Sequence, residues 1–492
     1  MFSKAGAKAA VLAIAKGYGL IGDDIMDQIQ QWNPEIRHVI EESMLAKDKL
    51  STDALKTLAK NISDNDAPFI FELLQNADDN SFTQALADRA LPYISFQVHS
   101  SRIIIECNED GFTRDDLSAI CSVGKSTKPA SHHYIGGKGI GFKSVFSAAW
   151  KVYIQSGNLS FYFKHEPGDA GLGMVLPVWE DTNEKLPDPL TRMTLYLHKN
   201  EKQNKVEHLL TYFKQLIEFP HYLMFLRNLR QIRVAIYDEN GRLQSSGNSS
   251  IRNVDKHRIF LETLYTNSDG ENAVEKKYYH VTRHTPATLL MSNNRELPDS
   301  GERRWTYSRT EIVLAFPLTS AFKPMTEKQE LFAFLPIRES DYKFIIQADF
   351  DTSADRRDIL PTSSRNRNNL DEILVAFRKA VLEFCEHTTL CYTWPMFLPD
   401  LNDNAGVFWS GLNQQIQRLM SATPILRSRH TRNLHTIDQV VLVADTLKDA
   451  SGEPLLDDSR SDPFLSKLYP QACRDILMQK SRIKDEVKFY KW

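Results

Sequence analysis

Apolar positions recur with two different periods along this chain, and each change of period marks an element. Over residues 69–79 (FIFELLQNADD), Ile70, Leu73, Leu74 and Ala77 fall on one helical stripe, while Glu72, Asn76 and Asp79 share the opposite one. Asp66-Ala67-Pro68 reads as the start of that helix, a capping residue with proline in the first turn. The period then shortens to that of strands in YISFQV (93–98) and RIIIE (102–106), separated by a short polar turn. Thr113 and Asp116 have capping-box spacing ahead of the short helix DDLSAIC. SVFSAAW (144–150) reads as the first turns of a helix, and KVYIQS with LSFYFK as a hairpin across Gly157-Asn158.

Further on, MTLYLHK (193–199) predicts a strand and 203–225 predicts helices. A second mixed region follows from about 230 to 360, with strands IRVAIYD, KKYYHVT, TEIVLAF and KFIIQADF. The polar stretches 239–256 and 292–304 read as exposed loops, and LDEILVAFRKAVLEFCEH reads as a long helix. The organisation expected is a helical lead over 1–60, one domain over 61–225, a second α/β domain over 226–365 and a mainly helical segment over 366–492.

Composition narrows the class without naming it. The 492 residues are 42% hydrophobic and 25% charged, with a net charge of −3, so the overall balance gives no pull toward nucleic acid or an anionic membrane. Five cysteines at 107, 121, 385, 391 and 473 lack C-x-x-C spacing, which argues against a disulfide framework and a cysteine zinc site and fits a reducing compartment. No apolar run approaches the roughly 18 residues of a membrane span. The lysine- and alanine-rich start reads as an amphipathic first helix, the alternative being a weak targeting peptide. The expected location is cytoplasmic, with the nucleus as the alternative.

Three constellations can carry chemistry. On the helix, Glu72 and Asn76 at i and i+4 can orient a water and hold Mg²⁺, or can be part of a solvated polar face. CNEDGFT (107–113) ends an apolar strand, where a side-chain oxygen can accept from a purine amine, or an Asx-type turn can simply precede a helix. GGKGIGFKS (136–144) would be a Walker A loop without Phe142, but the preceding STKPASHHY is no core strand, and GKS at 124–126 has Ala119 where the first glycine belongs. What remains is a loop whose glycine amides can face anionic oxygen, or a glycine loop with no ligand.

The order of these features resembles the GHKL superfamily of ATP-binding domains with the Bergerat fold, which includes heat-shock chaperones, type II topoisomerases, MutL proteins and sensor histidine kinases. FELLQNADDN, NEDGFT, VGKSTK, YIGGKGIGFKSVF and FIIQADFDTSADRRDIL are most similar to the sacsin and No-Vein-like branch. The resemblance is strong over about 60–200 and weaker over 330–360. It implies an α+β fold, a Bergerat-type sandwich with helices on one face of a mixed, mainly antiparallel sheet, followed by a second α/β domain and a helical tail.

It also implies roles. Glu72 matches the general base, Asn76 the Mg²⁺ ligand and Asp79 a nucleotide-contacting aspartate. Thr191 would support the adenine; Gly137, Lys138, Gly139, Ile140, Gly141 and Phe142 form the phosphate loop; Lys125, Ser126 and Thr127 lie in the lid. Asn108, Asp110 and Gly111 belong to the adenine motif, which departs from D-x-G-x-G, since Cys107 or Asn108 takes the adenine-reading position according to register. Arg357, with Arg356 beside it, matches the arginine that a second domain gives to the γ-phosphate, or else the pair solvates a helix start. The cofactors implied are ATP and Mg²⁺, and the activity a slow ATP hydrolysis driving a chaperone-like cycle, or a nucleotide-binding switch or scaffold with little turnover. Client or partner proteins and self-association fit that reading. A sensor-kinase role lacks a histidine on a dimerisation helix, and a topoisomerase or MutL role lacks a basic stretch.

Overall fold

A computed structural model describes residues 2–18, 23–43, 69–122, 141–166, 172–198, 203–286, 311–353, 358–399, 406–429, 433–443, 447–451, 454–455, 463–481 and 484–485. The chain divides into two units, one spanning 1–251 and 262–275, the other 252–261 and 276–492.

The first unit is built on strands β1 (Tyr93–Val98), β2 (Arg102–Cys107), β3 (Ala149–Ser156), β4 (Leu159–Lys164), β5 (Val178–Trp179), β6 (Thr191–Leu197), β7 (Gln231–Tyr237) and β8 (Leu243–Asn253). Their order is β8-β7-β1-β2-β6-β3-β4-β5. β1 and β7 run parallel, with Ile94 opposite Ile232, and the remaining pairs are antiparallel. The β3–β4 hairpin turns at Gly157, whose φ of +56° suits the missing side chain.

Helices cover this sheet through their apolar stripes. Phe213 of the helix Gln203–Glu218 meets Phe96 of β1 at 5.4 Å between ring centroids, and Phe71 of the helix Phe69–Asp78 meets Tyr222 at 5.0 Å. The expected amphipathic first helix forms over Lys4–Gly17 with Ser3 as its cap, and its stripe Ala7, Val11 and Ala15 is buried as it packs along β4 and β5. The proposed helix start at Asp66 to Pro68 lies outside the described residues.

Two local readings differ from the fold. SVFSAAW is a 3-10 turn only as far as Ser147; from Ala149 the chain is β3, because pairing with β6 opposite Leu197 satisfies backbone that a continued helix would take away from the sheet. The polar stretch 239–256 contains β8, an antiparallel partner of β7. Its polarity conceals a strand because small residues are needed there: Ser249 bonds Thr263 at 2.9 Å, and a Cβ on Gly247 would stand 2.5 Å from Ile217 Cγ2.

The second unit includes β9 (Arg258–Thr266, its first four residues), β10 (Asn272–His284, from Lys276), β11 (Ile312–Leu318), β12 (Glu330–Ala333), β13 (Leu335–Glu339) and β14 (Ile345–Gln347). From β10 the order runs β10-β11-β14-β12-β13, with β12 and β14 parallel. Every residue of β11 is buried, and the helix Ser364–Glu386 packs along it. Phe316 stands 4.8 to 5.0 Å from Phe344, Phe384 and Phe397, ring centroid to ring centroid. Trp394, Trp409, Leu412 and Tyr469 join that same core, so the segment after 366 adds to it, with helices Gly406–Ala422 and Gln471–Ser481 and short strand pairs. The fold is thus α+β with a mainly antiparallel sheet. Among the described residues no helix is long and apolar enough to cross a membrane. Stretch 292–304 lies outside the described residues.

Candidate functional site

The helix Phe69–Asp78 buries Ile70, Leu73, Leu74 and Ala77, together with Phe69 and Phe71, and leaves Glu72, Asn76 and Asp79 half-buried on the other side. It packs against the turn Gly141–Ser147 that closes the glycine-rich sequence. Carboxylate and amide one helical turn apart therefore stand on a face that is neither core nor fully open.

The neighbouring acid Asp78, which the helical stripes do not single out, has an anchoring task. It is 1% exposed and accepts the backbone N–H groups of Arg227, Asn228 and Leu229, each at 2.8 Å, while its own carbonyl takes the Asn228 amide at 2.7 Å. Burial pushes its carboxyl up and the three backbone donors pull it down, with burial prevailing. The only hint in the sequence was the doubled acid DD, which cannot say which of the two turns inward.

The motif after β2 is held from several sides. Asn108 is 5% exposed; its Oδ1 accepts the Tyr93 N–H at 2.7 Å and its Nδ2 donates to the Leu91 carbonyl at 3.0 Å, so the amide fixes the entry to β1. Cys107 is buried, and burial drives its thiol well above the ordinary range. Neither candidate for the adenine-reading position is thus a carboxylate or an uncommitted amide. Glu109, 3% exposed, accepts from the Asn80 side chain. Asp110 accepts the Thr83 N–H and hydroxyl at 2.9 and 2.6 Å and the Gln84 N–H at 2.9 Å, capping the short helix Thr83–Ala87. Desolvation raises the Asp110 carboxyl, but these donors outweigh it and hold it below the usual range.

Gly111, at φ +88°, turns the chain toward β3. Ser156 Oγ there accepts the Phe112 N–H at 2.9 Å and lies 2.7 Å from Thr191 Oγ1. The register explains the meeting: Thr191 opens β6 directly opposite both Cys107, the last residue of β2, and Ser156, the last of β3. Residues separated by over eighty positions thus converge at one sheet end, and Ser156 joins them although nothing in its local sequence marks it.

Phe142 and Lys143 follow Gly141. The Phe142 ring is 6.1 Å from Phe163, centroid to centroid, and stays half-buried. Lys143 is 6% exposed; its Nζ donates to the carbonyls of Ile120 at 2.5 Å and Met174 at 2.7 Å, and lies 4.7 Å from the centre of the Phe163 ring. Burial lowers its ammonium to about 7, with Cys121 acting the other way. Ile120 ends the helix Arg114–Ile120, whose Thr113–Asp116 capping box forms as expected, so Lys143 ties the far end of that helix to the glycine-loop exit. Lys125, Ser126, Thr127, Gly137, Lys138, Gly139, Ile140 and Arg357 lie outside the described residues.

Residues 48–163 match the family model of the Sacsin domain, a stretch that takes in the helix, the NEDGF turn and the glycine-rich sequence. The chain is 29% identical over 366 residues to Protein NO VEIN of Arabidopsis thaliana, covering 70% of this chain and 12% of that protein's length. Among solved structures, the crystal structure of the N-terminal domain of a DNA repair protein aligns at 12% identity over 61% of this chain and 94% of that one, with a TM-score of 0.31. By its Sacsin-domain match and its likeness to NO VEIN, the similarity of this chain lies with the sacsin and No-Vein-like branch.

Proposed function

We propose that the first unit is a Bergerat-type domain that binds ATP with Mg²⁺ and hydrolyses it slowly, so that nucleotide turnover drives a chaperone-like conformational cycle. The observation that carries this reading is the packing of the helix bearing Glu72 and Asn76 against the turn that ends the glycine-rich sequence. The donor set fits the group: an amide oxygen suits a hard cation, and a half-buried glutamate one turn away suits a base for water. The metal would neutralise phosphate charge during transfer. Thr191 and Ser156 offer hydroxyls at the adenine end of the sheet, with Gly111 keeping the backbone close to them.

A second reading has its own support. With Asn108 spent on Leu91 and Tyr93, and Cys107 buried, adenine recognition lacks the charge assistance of a carboxylate, which favours a nucleotide-binding switch or scaffold with little hydrolysis. Calorimetry with ATP and Mg²⁺ on the intact chain, combined with steady-state hydrolysis by wild type and Glu72→Ala, separates the two. The ATPase reading expects saturable binding in both proteins and a turnover about 10² to 10⁴-fold lower in the variant. Binding without turnover selects the switch. Neither binding nor turnover at millimolar ATP rejects both, and turnover unchanged in Glu72→Ala removes Glu72 as the base.

A further inference from the structure

The second unit holds a cluster of imidazoles around one carboxylate that the nucleotide reading leaves unused. His257 sits in the turn just before β9, where Asp255 Oδ1 accepts the N–H groups of His257 and Arg258 at 3.0 and 2.8 Å. The Val281 N–H donates to the His257 carbonyl at 2.8 Å, which lays this turn beside β10. Alternation along β10 turns His280 and Thr282 to the same face, and Glu383 reaches them from the last turn of the helix Ser364–Glu386.

All three elements converge on a single oxygen. Glu383 Oε2 lies 3.0 Å from His280 Nε2 and 3.4 Å from His257 Nδ1, and Thr282 Oγ1 donates to it at 2.6 Å. One ligand atom from each of His257, His280 and Glu383 falls within 4.8 Å of the others. Ligands about 2.0–2.1 Å from a tetrahedral zinc ion stand roughly 3.3 Å apart, close to the spacings here.

The carboxylate reaches only one nitrogen of His257 and one of His280. His280 is 0% exposed, yet its Nδ1 is buried with no partner, as are Nε2 of His257 and Nε2 of His387, whose ring centre lies 5.5 Å from that of His280. The orphaned nitrogens of His280 and His257 lie on the far sides of their rings; the nitrogens that face the carboxylate, Nε2 of His280 and Nδ1 of His257, are the ones placed to ligate an ion. It is this convergence of two imidazoles and a carboxylate from three elements that points to a ligand.

We propose that His257, His280 and Glu383 form a zinc-binding site, with water completing the tetrahedron and Thr282 as a positioning residue that orients the carboxylate. Two imidazoles with one carboxylate favour zinc over the hard cations that prefer all-oxygen cages. The ion ties a turn, a strand and a helix that are far apart in sequence.

The test uses the intact chain, dialysed against chelator and titrated first with Co²⁺ and then with Zn²⁺. One equivalent of cobalt should bind with the visible absorption of a tetrahedral ion and no thiolate charge-transfer band, and zinc should displace it. Zinc affinity should fall at least about tenfold in His257→Ala and in Glu383→Gln, and zinc should raise the Tm of the wild type more than that of either variant. His257 is only half-buried, so His257→Ala decides the matter if Glu383→Gln fails to fold. Absence of stoichiometric binding, a thiolate band, or an unchanged affinity in a folded His257→Ala would each overturn the proposal.

Discussion

At the scale of single residues, the first unit spends several polar side chains on holding its own backbone. Asn108, Asp110 and Asp78 all accept main-chain donors, and loss of Asn108 or Asp78 would orphan buried or part-buried groups at a cost of about 1–3 kcal/mol, whereas the donors of Asp110 stand nearer solvent. Lys143 differs, since its partners are two carbonyls and its charge is poorly solvated. Below about pH 7 its ammonium is charged whether the chain is folded or not. Above that pH the folded protein releases a proton that the unfolded chain keeps until near 10.5, so the unfolded state binds more protons and stability rises with pH across this window. Urea midpoints of wild type and Lys143→Met at pH 7 and pH 9 read the effect. The wild type should gain on the variant by up to about 1.4 kcal/mol per pH unit; parallel curves would mean that the ammonium stays charged in the fold. Glu72, Asn76 and Asp79 were legible as one face because a helical period is local. Ser156 was not, because its role depends on a register with Thr191 that no local pattern encodes.

At the scale of elements, β8 and β3 make the instructive contrast. The hairpin of β3 and β4 follows from alternating apolar residues and a glycine turn, whereas β8 carries LQSSGNSSIRN, which looks like loop by polarity alone. Its serines and glycine are selected by what lies against them. A Cβ at position 247 would press on Cγ2, Cγ1 and Cβ of Ile217 at 2.5, 3.0 and 3.1 Å, so the helix Gln203–Glu218 can approach the sheet only over a bare backbone. Gly247→Ala should therefore destabilise the wild type by about 1–3 kcal/mol. The same change in an Ile217→Ala background should cost clearly less, a coupling that chemical denaturation of the double-mutant cycle measures. Additive costs would show that the glycine is not required by this contact.

At the scale of the whole molecule, the two proposals place different ligands on the two units, and each ligand should then protect its own unit. Hydrogen exchange followed by mass spectrometry is expected to slow in the helix Phe69–Asp78 and at the ends of β2 and β6 when ATP and Mg²⁺ are added. Zinc is expected to slow exchange around His257, along β10 from Lys276 and in the last turns of the helix Ser364–Glu386. Exchange unaffected by zinc in those segments would count against a site there. The sequence by itself determined the helical stripe with Glu72 and Asn76, the strands β1, β2 and β4, the capping box at Thr113 and the family likeness, because periodicity, caps and short motifs are written within a few neighbouring residues. Only tertiary structure decided that Asp78 turns inward, that Asn108 is spent on the backbone, that Ser156 meets Thr191 and that two histidines share Glu383. Those facts depend on strand register and on helices packing across long separations, which local sequence does not fix.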